Sequence, residues 1–129
     1  TILVDLFRGV TTSPVRTLED MERNSIPYLI PDVCCQEVLQ GARTSREWTL
    51  MLEHLRGQRI LAVEDPWITH VEAARIFFDC RRKGITIRST IDCLVAQMVL
   101  DGDHVLLHDD EDYERIRSVR PLRTHHPLS

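Results

Sequence analysis

Acidic side chains stand where the local pattern would carry them to one edge of a fold: Asp5, Glu37, Asp92 and the run Asp109-Asp110-Glu111-Asp112. Carboxylates crowded together repel one another and hold their protons more tightly, a conflict that a shared divalent cation relieves. An all-oxygen donor set suits hard Mg2+ or Mn2+. Each acid also has a plain structural explanation. Asp92 completes a capping-box form with Ser89, and Asp110 suits the N-cap of a last helix. Glu37 lies beside an apolar stripe, where a solvent-facing Glu is common. Asp5 has the least ordinary setting, because a carboxylate directly after a buried strand needs a partner.

Other chemistries find less support. The four cysteines, Cys34, Cys35, Cys80 and Cys93, form no C-x-x-C pair and sit in apolar, helix-like surroundings, so reduced structural thiols are expected. Of the six histidines only His125 and His126 are adjacent, with no third ligand at zinc spacing. A phosphatase with a first-strand Asp nucleophile would want a second Asp two residues on, where Phe7 stands. A phosphate-acceptor signalling domain would want a Lys after the last strand, and the sole Lys is Lys83.

The elements that must position these acids follow from apolar spacing and caps. Ile2-Leu3-Val4 reads as a short buried strand ending at Asp5. Ser13 as N-cap, with Pro14 at the first helical position, opens a helix running to about Asn24. A second strand over Pro27 to Ile30 leads into a helix capped by Asp32, with Glu37 beside its stripe of Cys34, Val38, Gly41 and Ala42. Thr44 or Ser45 caps the next helix, with Trp48, Met51, Leu52 and Leu55 on one face and Gly57 at its end. Ile60 to Val63 is a third strand. Asp65-Pro66 starts a long helix with Trp67, Val71, Ala74 and Phe78 at helical spacing, closing near Arg81-Arg82-Lys83-Gly84. A helix follows from Ser89, then a strand over Val105 to Leu107, then a short helix with Tyr113 and Ile116.

Strands alternating with helices predict a three-layer α/β/α fold around a central, mainly parallel sheet. In such sheets the strands' carboxyl ends and the helix starts form one edge, where Asp5, Asp92 and the 109–112 group should converge. The length of 129 residues, with 43% hydrophobic and 28% charged, suits a single domain, with only the tail after about residue 121 loosely held. No apolar run approaches the roughly 20 residues that cross a bilayer, and no basic-then-apolar leader is present, so a soluble cytoplasmic protein is expected. The formal charge of −4 excludes bulk attraction as the basis for binding nucleic acid and requires local patches. Arg supplies fifteen of the sixteen basic residues, which a compositional bias explains as well as phosphate recognition does.

Four blocks in order then resemble the PIN-domain ribonucleases, most closely the VapC toxins of bacterial toxin-antitoxin pairs. They are Ile2-Leu3-Val4-Asp5, Gln36-Glu37-Val38-Leu39-Gln40-Gly41-Ala42, Arg88-Ser89-Thr90-Ile91-Asp92-Cys93-Leu94-Val95-Ala96 and Leu106-Leu107-His108-Asp109-Asp110-Glu111-Asp112-Tyr113. The third is the most specific. The resemblance implies Asp5, Glu37, Asp92 and Asp110 as an acidic quartet holding Mg2+ or Mn2+, with Asp112 as an accessory acid and Ser89 or Thr90 orienting water or phosphate. Asp109 is an alternative to Asp110. The stretch Val4-Asp5-Leu6-Phe7-Arg8-Gly9 departs from the family pattern, in which the strand-end Asp is separated from a Leu-Phe-Arg-Gly-like segment that often carries its own Asp. Asp5 can therefore be either acid.

The implied reaction is hydrolysis of an RNA phosphodiester by metal-activated water. Arg43, Arg46, Arg81, Arg82, Lys83 and Arg88 are candidate phosphate contacts, each equally explicable as helix-terminal charge. The resemblance further implies a homodimer and a VapB-type antitoxin whose arm covers the acids, with DNA reached only through that partner. The apolar stretches around Trp48 to Leu55 and Trp67 to Phe78 fit core or interface. The rival is a PIN-like interaction module that keeps the fold without catalysis.

Overall fold

The computed structural model describes residues 2–125. Eleven elements follow in order: α1 (Ile2–Phe7), α2 (Ser13–Arg23), β1 (Leu29–Pro31), α3 (Asp32–Gln40), α4 (Ser45–Arg56), β2 (Arg59–Leu61), α5 (Pro66–Arg82), α6 (Thr90–Asp101), β3 (Leu106–Leu107), α7 (Glu111–Ile116) and β4 (Thr124–His125). The chain is α/β, with helices between short strands that pair in parallel. It divides into two compact units, one up to Leu61 and one from Ala62.

In the first unit β1 and β2 pair in parallel, with Leu29, Ile30 and Pro31 opposite Arg59, Ile60 and Leu61. Parallel neighbours need a crossover, and α3 with α4 supplies it. Ile30, Val38, Met51 and Leu55 form the buried centre, and Leu3, Tyr28, Cys34, Cys35, Leu39 and Ala42 pack on it. Thr44 caps α4, its Oγ1 accepting from the Glu47 N–H at 3.1 Å. The cap of α2 falls one residue earlier than expected, on Thr12, whose Oγ1 accepts from Val15 N at 3.3 Å. Asp32 likewise is the first helical residue rather than the cap of α3, which is Pro31.

The expected first strand is a correction: Ile2, Leu3 and Val4 are helical, and Asp5 lies inside α1 rather than at a strand end. A short apolar run carries no period that separates a buried strand from a buried helical turn. Here the Val10 N–H donates to the Asp5 carbonyl at 2.9 Å, and Gly9 leaves the helix at φ +72, which glycine adopts without strain.

In the second unit α5 and α7 pack against α6. Asp65 caps α5 through Ile68 N at 3.2 Å, and Gly84 follows its end at φ +75. From Asp92 to Val99 all of α6 except Leu94 is buried, as suits a helix apolar nearly all round. Cys80 and Cys93 are buried free thiols, and burial foremost pushes Cys93 up to about 11, so it stays un-ionised at neutral pH. On α5 the buried face is Thr69, Ala73, Ile76 and Cys80. The stripe singled out by spacing is the other face: Trp67 is 77% exposed, with Val71 and Phe78 also open. Three guanidiniums lie over its rings, Arg75 and Arg82 above Phe78 and Arg81 above Phe77.

The tail differs from expectation as far as residue 125. Leu122 is buried, Thr124 and His125 pair in parallel with Leu106 and Leu107, and Leu106 N donates to the Arg123 carbonyl at 2.9 Å. Arg120 reaches Asp79 on α5 at 2.9 Å, a hydrogen bond that chiefly holds the Asp79 carboxyl below its ordinary value. His126 lies outside the described residues. Among the described residues no helix is long and apolar enough to cross a membrane.

Candidate functional site

Two helix starts in the second unit build the site. Ser89 precedes α6 in an extended conformation, and its side chain makes no cap hydrogen bond. The capping-box explanation of Asp92 therefore fails: the Ser89 N–H that such a box would give to Asp92 donates instead to Asp112 Oδ2, at 3.2 Å. Asp92 sits in the first turn of α6, 8% exposed, with Oδ2 buried and lacking a hydrogen-bond partner among the described residues. A buried acceptor left unmatched is costly, so this oxygen calls for something the described residues do not supply.

Asp110 and Asp112 come from the start of α7. Asp110 caps that helix, its Oδ1 accepting from Asp112 N at 2.9 Å. Asp112 is fully buried and satisfied: Oδ2 accepts from the N–H groups of Arg88 at 3.0 Å and Ser89 at 3.2 Å, and Oδ1 accepts from Arg115 Nη1 at 2.9 Å. It clamps the loop before α6 to α7. Carboxylate oxygens of Asp92, Asp110 and Asp112 all lie within 4.8 Å of one another. Burial foremost, then the Asp112 and Asp110 carboxyls, push Asp92 up to about 7, while a hydrogen bond from Tyr113 pulls the other way. Asp92 and Asp110 make no ion pair among the described residues, whereas Arg115 neutralises Asp112.

A second layer aims Asp110. Its backbone N–H donates to His108 Nδ1 at 3.1 Å, so that nitrogen carries no proton and Nε2–H donates to Glu114 Oε2 at 2.8 Å. Burial would raise Glu114, but its bonds from His108, Arg117 and Thr124 outweigh that and hold the carboxyl below its ordinary value. His108 is buried and tilts against Tyr113, ring centres 5.0 Å apart. Orienting partners of this kind decide how well a ligating carboxylate is placed.

The structure thus gathers three of the acids named from sequence and distinguishes their neighbours. Asp109 is exposed on the approach to α7 and is not one of the three. Ser89 is the N-cap of α6 and Thr90 its first residue, with Thr90 exposed. Asp5 and Glu37 lie half-buried in the first unit, on α1 and α3. Arg43 and Arg46 are exposed around the start of α4. Arg81, Arg82, Lys83 and Arg88 are exposed in the second unit, with Lys83 Nζ donating to the Ser118 carbonyl at 3.3 Å. Sequence reasoning missed His108, Glu114 and Arg115; the only trace of the last was its spacing three residues after Asp112 on a helix.

No family model matches the chain. It is 30% identical over 123 residues to the VapC ribonuclease Mb1587 of Mycobacterium bovis and to the ribonuclease VapC11 of Mycobacterium tuberculosis, covering 93% of this chain and 90% of each relative. With that extent of similarity, and with acids clustered at the start of the helix that carries the most specific block, the chain belongs to the VapC ribonucleases.

Proposed function

We propose that this protein is the toxin of a type II toxin-antitoxin pair and an endoribonuclease that depends on Mg2+ or Mn2+. The observation that carries the reading is the buried, unpartnered Asp92 Oδ2 within reach of Asp110 and Asp112. All-carboxylate donors fit a hard divalent ion. Asp92 and Asp110 would hold it directly. Asp112, already saturated by three donors, serves chiefly to fix the backbone from which Asp92 projects. When bound, such an ion lowers the pKa of water and offsets charge building on phosphate oxygens.

The chain's own residues do the rest. Asp92 gives up its proton to become a ligand, His108 and Glu114 hold Asp110 in place, and Ser89 or Thr90 orients water or a phosphate oxygen. Glu37 is retained as a further acid on the family resemblance alone. Asp5 is retained on the same ground, although it projects from a helix rather than from a strand end. A VapB-type antitoxin arm with an Arg among the acids would imitate the ion's charge, and the working unit would be a cytoplasmic homodimer that meets DNA only through that partner.

Replacing Asp92 with Asn tests the reading. RNA cleavage in Mn2+ should fall at least about a hundredfold, and growth arrest on expression should disappear. Cleavage and arrest equal to the parent's would leave an interaction module as the better account.

A further inference from the structure

Beside the acids, the second unit has an open cleft of about 580 Å³ lined by Gly84, Ile85, Thr86, Arg88, Arg115 and Ser118. Its lining residues include two arginines and no acid. Lys83 adds a third positive charge at the rim, its Nζ donating to the Ser118 carbonyl. From this geometry we infer that the cleft takes a phosphate of the RNA backbone next to the one being cut, gripped by Arg88 and Arg115.

Asp112 is what joins the cleft to the acids. One of its oxygens fixes the Arg88 and Ser89 backbone and the other fixes Arg115, while the same carboxylate lies with those of Asp92 and Asp110. The cleft and the acid cluster therefore share a wall, and a strand whose cut phosphate met the acids would lay a neighbouring phosphate against the arginines. Arg115 commits Nη1 to Asp112 and keeps its other donors for an anion. That tether also removes much of the freedom a long side chain would otherwise lose on binding. The Arg88 side chain is exposed, yet its backbone is held at 3.0 Å, so it starts from a fixed root. Gly84 turns the chain at φ +75 and places no side chain in the mouth of the cleft.

This inference rests on the nuclease reading, and the experiment separates the two. Binding of a labelled single-stranded RNA oligonucleotide by the full chain is followed by anisotropy in EDTA across a salt series, and cleavage kinetics are followed in Mn2+. Arg88→Ala and Thr86→Glu should each weaken binding roughly five- to tenfold, and Arg88→Ala should flatten the log-log salt slope by about 0.7, the share of one phosphate on a single strand. KM should rise more than kcat falls, and the Mn2+ dissociation constant should stay within about twofold of the parent's. Circular dichroism confirms that both variants fold. Parent-like RNA affinity and salt slope in both variants would overturn the cleft while leaving the nuclease intact. Should Asp92→Asn still cut RNA, the nuclease reading falls, and the binding data in EDTA still judge the cleft.

Discussion

At the scale of single residues, Asp92 ties structure to acidity. Its carboxyl is pushed up to about 7, first by burial and then by its two acidic neighbours. The folded state therefore binds this proton more tightly than the unfolded chain does. Its contribution to the stability of the metal-free protein is complete at acid pH and is lost as pH rises through about 7. A divalent ion reverses that preference, since it binds the carboxylate in competition with the proton. Mn2+ affinity should accordingly climb about tenfold per pH unit up to pH 7 and level off above it, and Mn2+ should raise Tm more at pH 8 than at pH 6. Calorimetric titrations giving one affinity from pH 5.5 to 8 would contradict this. Asp112 has a different part. Asp112→Ala would strand two backbone N–H groups and the Arg115 guanidinium, at a cost of about 3 kcal/mol, seen as a lower urea midpoint.

The next scale is the element, where caps and amphipathic stripes proved readable to different degrees. Helices α4 and α5 were legible because Thr44 and Asp65 make the side-chain caps that their positions suggest. The Ile2-Leu3-Val4 run was not, since its three apolar residues satisfy a strand or a helical turn alike and only the bond from Val10 to Asp5 decides. Within α5 the sequence offers two apolar stripes. Composition ranks the aromatic one higher, while the face buried in the structure is that of Ala73, Ile76 and Cys80, on a helix that packs against α6. Ile76→Ala should then cost roughly 2 to 5 kcal/mol in denaturant unfolding, and Trp67→Ala within about 0.5. The reverse order would assign the core to the wrong face. The same contrast runs through the site. Asp92, Asp110 and Asp112 could be named from motif order, but His108 and Arg115 could not, because their roles depend on a backbone N–H and a carboxylate brought close by the loops before α6 and α7.

For the molecule as a whole, a formal charge of −4 spread over 129 residues means that RNA must be drawn by local arginines against the net field. The proposed homodimer should appear in light scattering as twice 15.0 kDa. A single 15.0 kDa species at micromolar concentration would remove it. Trp67, Ile68, Val71 and Phe78 of α5 are exposed apolar residues, of which Phe78 is partly roofed by Arg75 and Arg82.

The clamp made by Asp112 also has a temporal side. Its donors lie at residues 88 and 89 and its acceptor twenty-odd positions later, so the segment opening α6 is secured only after synthesis has passed α7. A translation product halted within α6 carries Asp92 without either acidic companion. Ribosomes that stall on the message, or nascent chains clipped early, would thus release fragments that lack the assembled acid cluster, and on the proposed reading any toxicity would arrive only once α7 has been made.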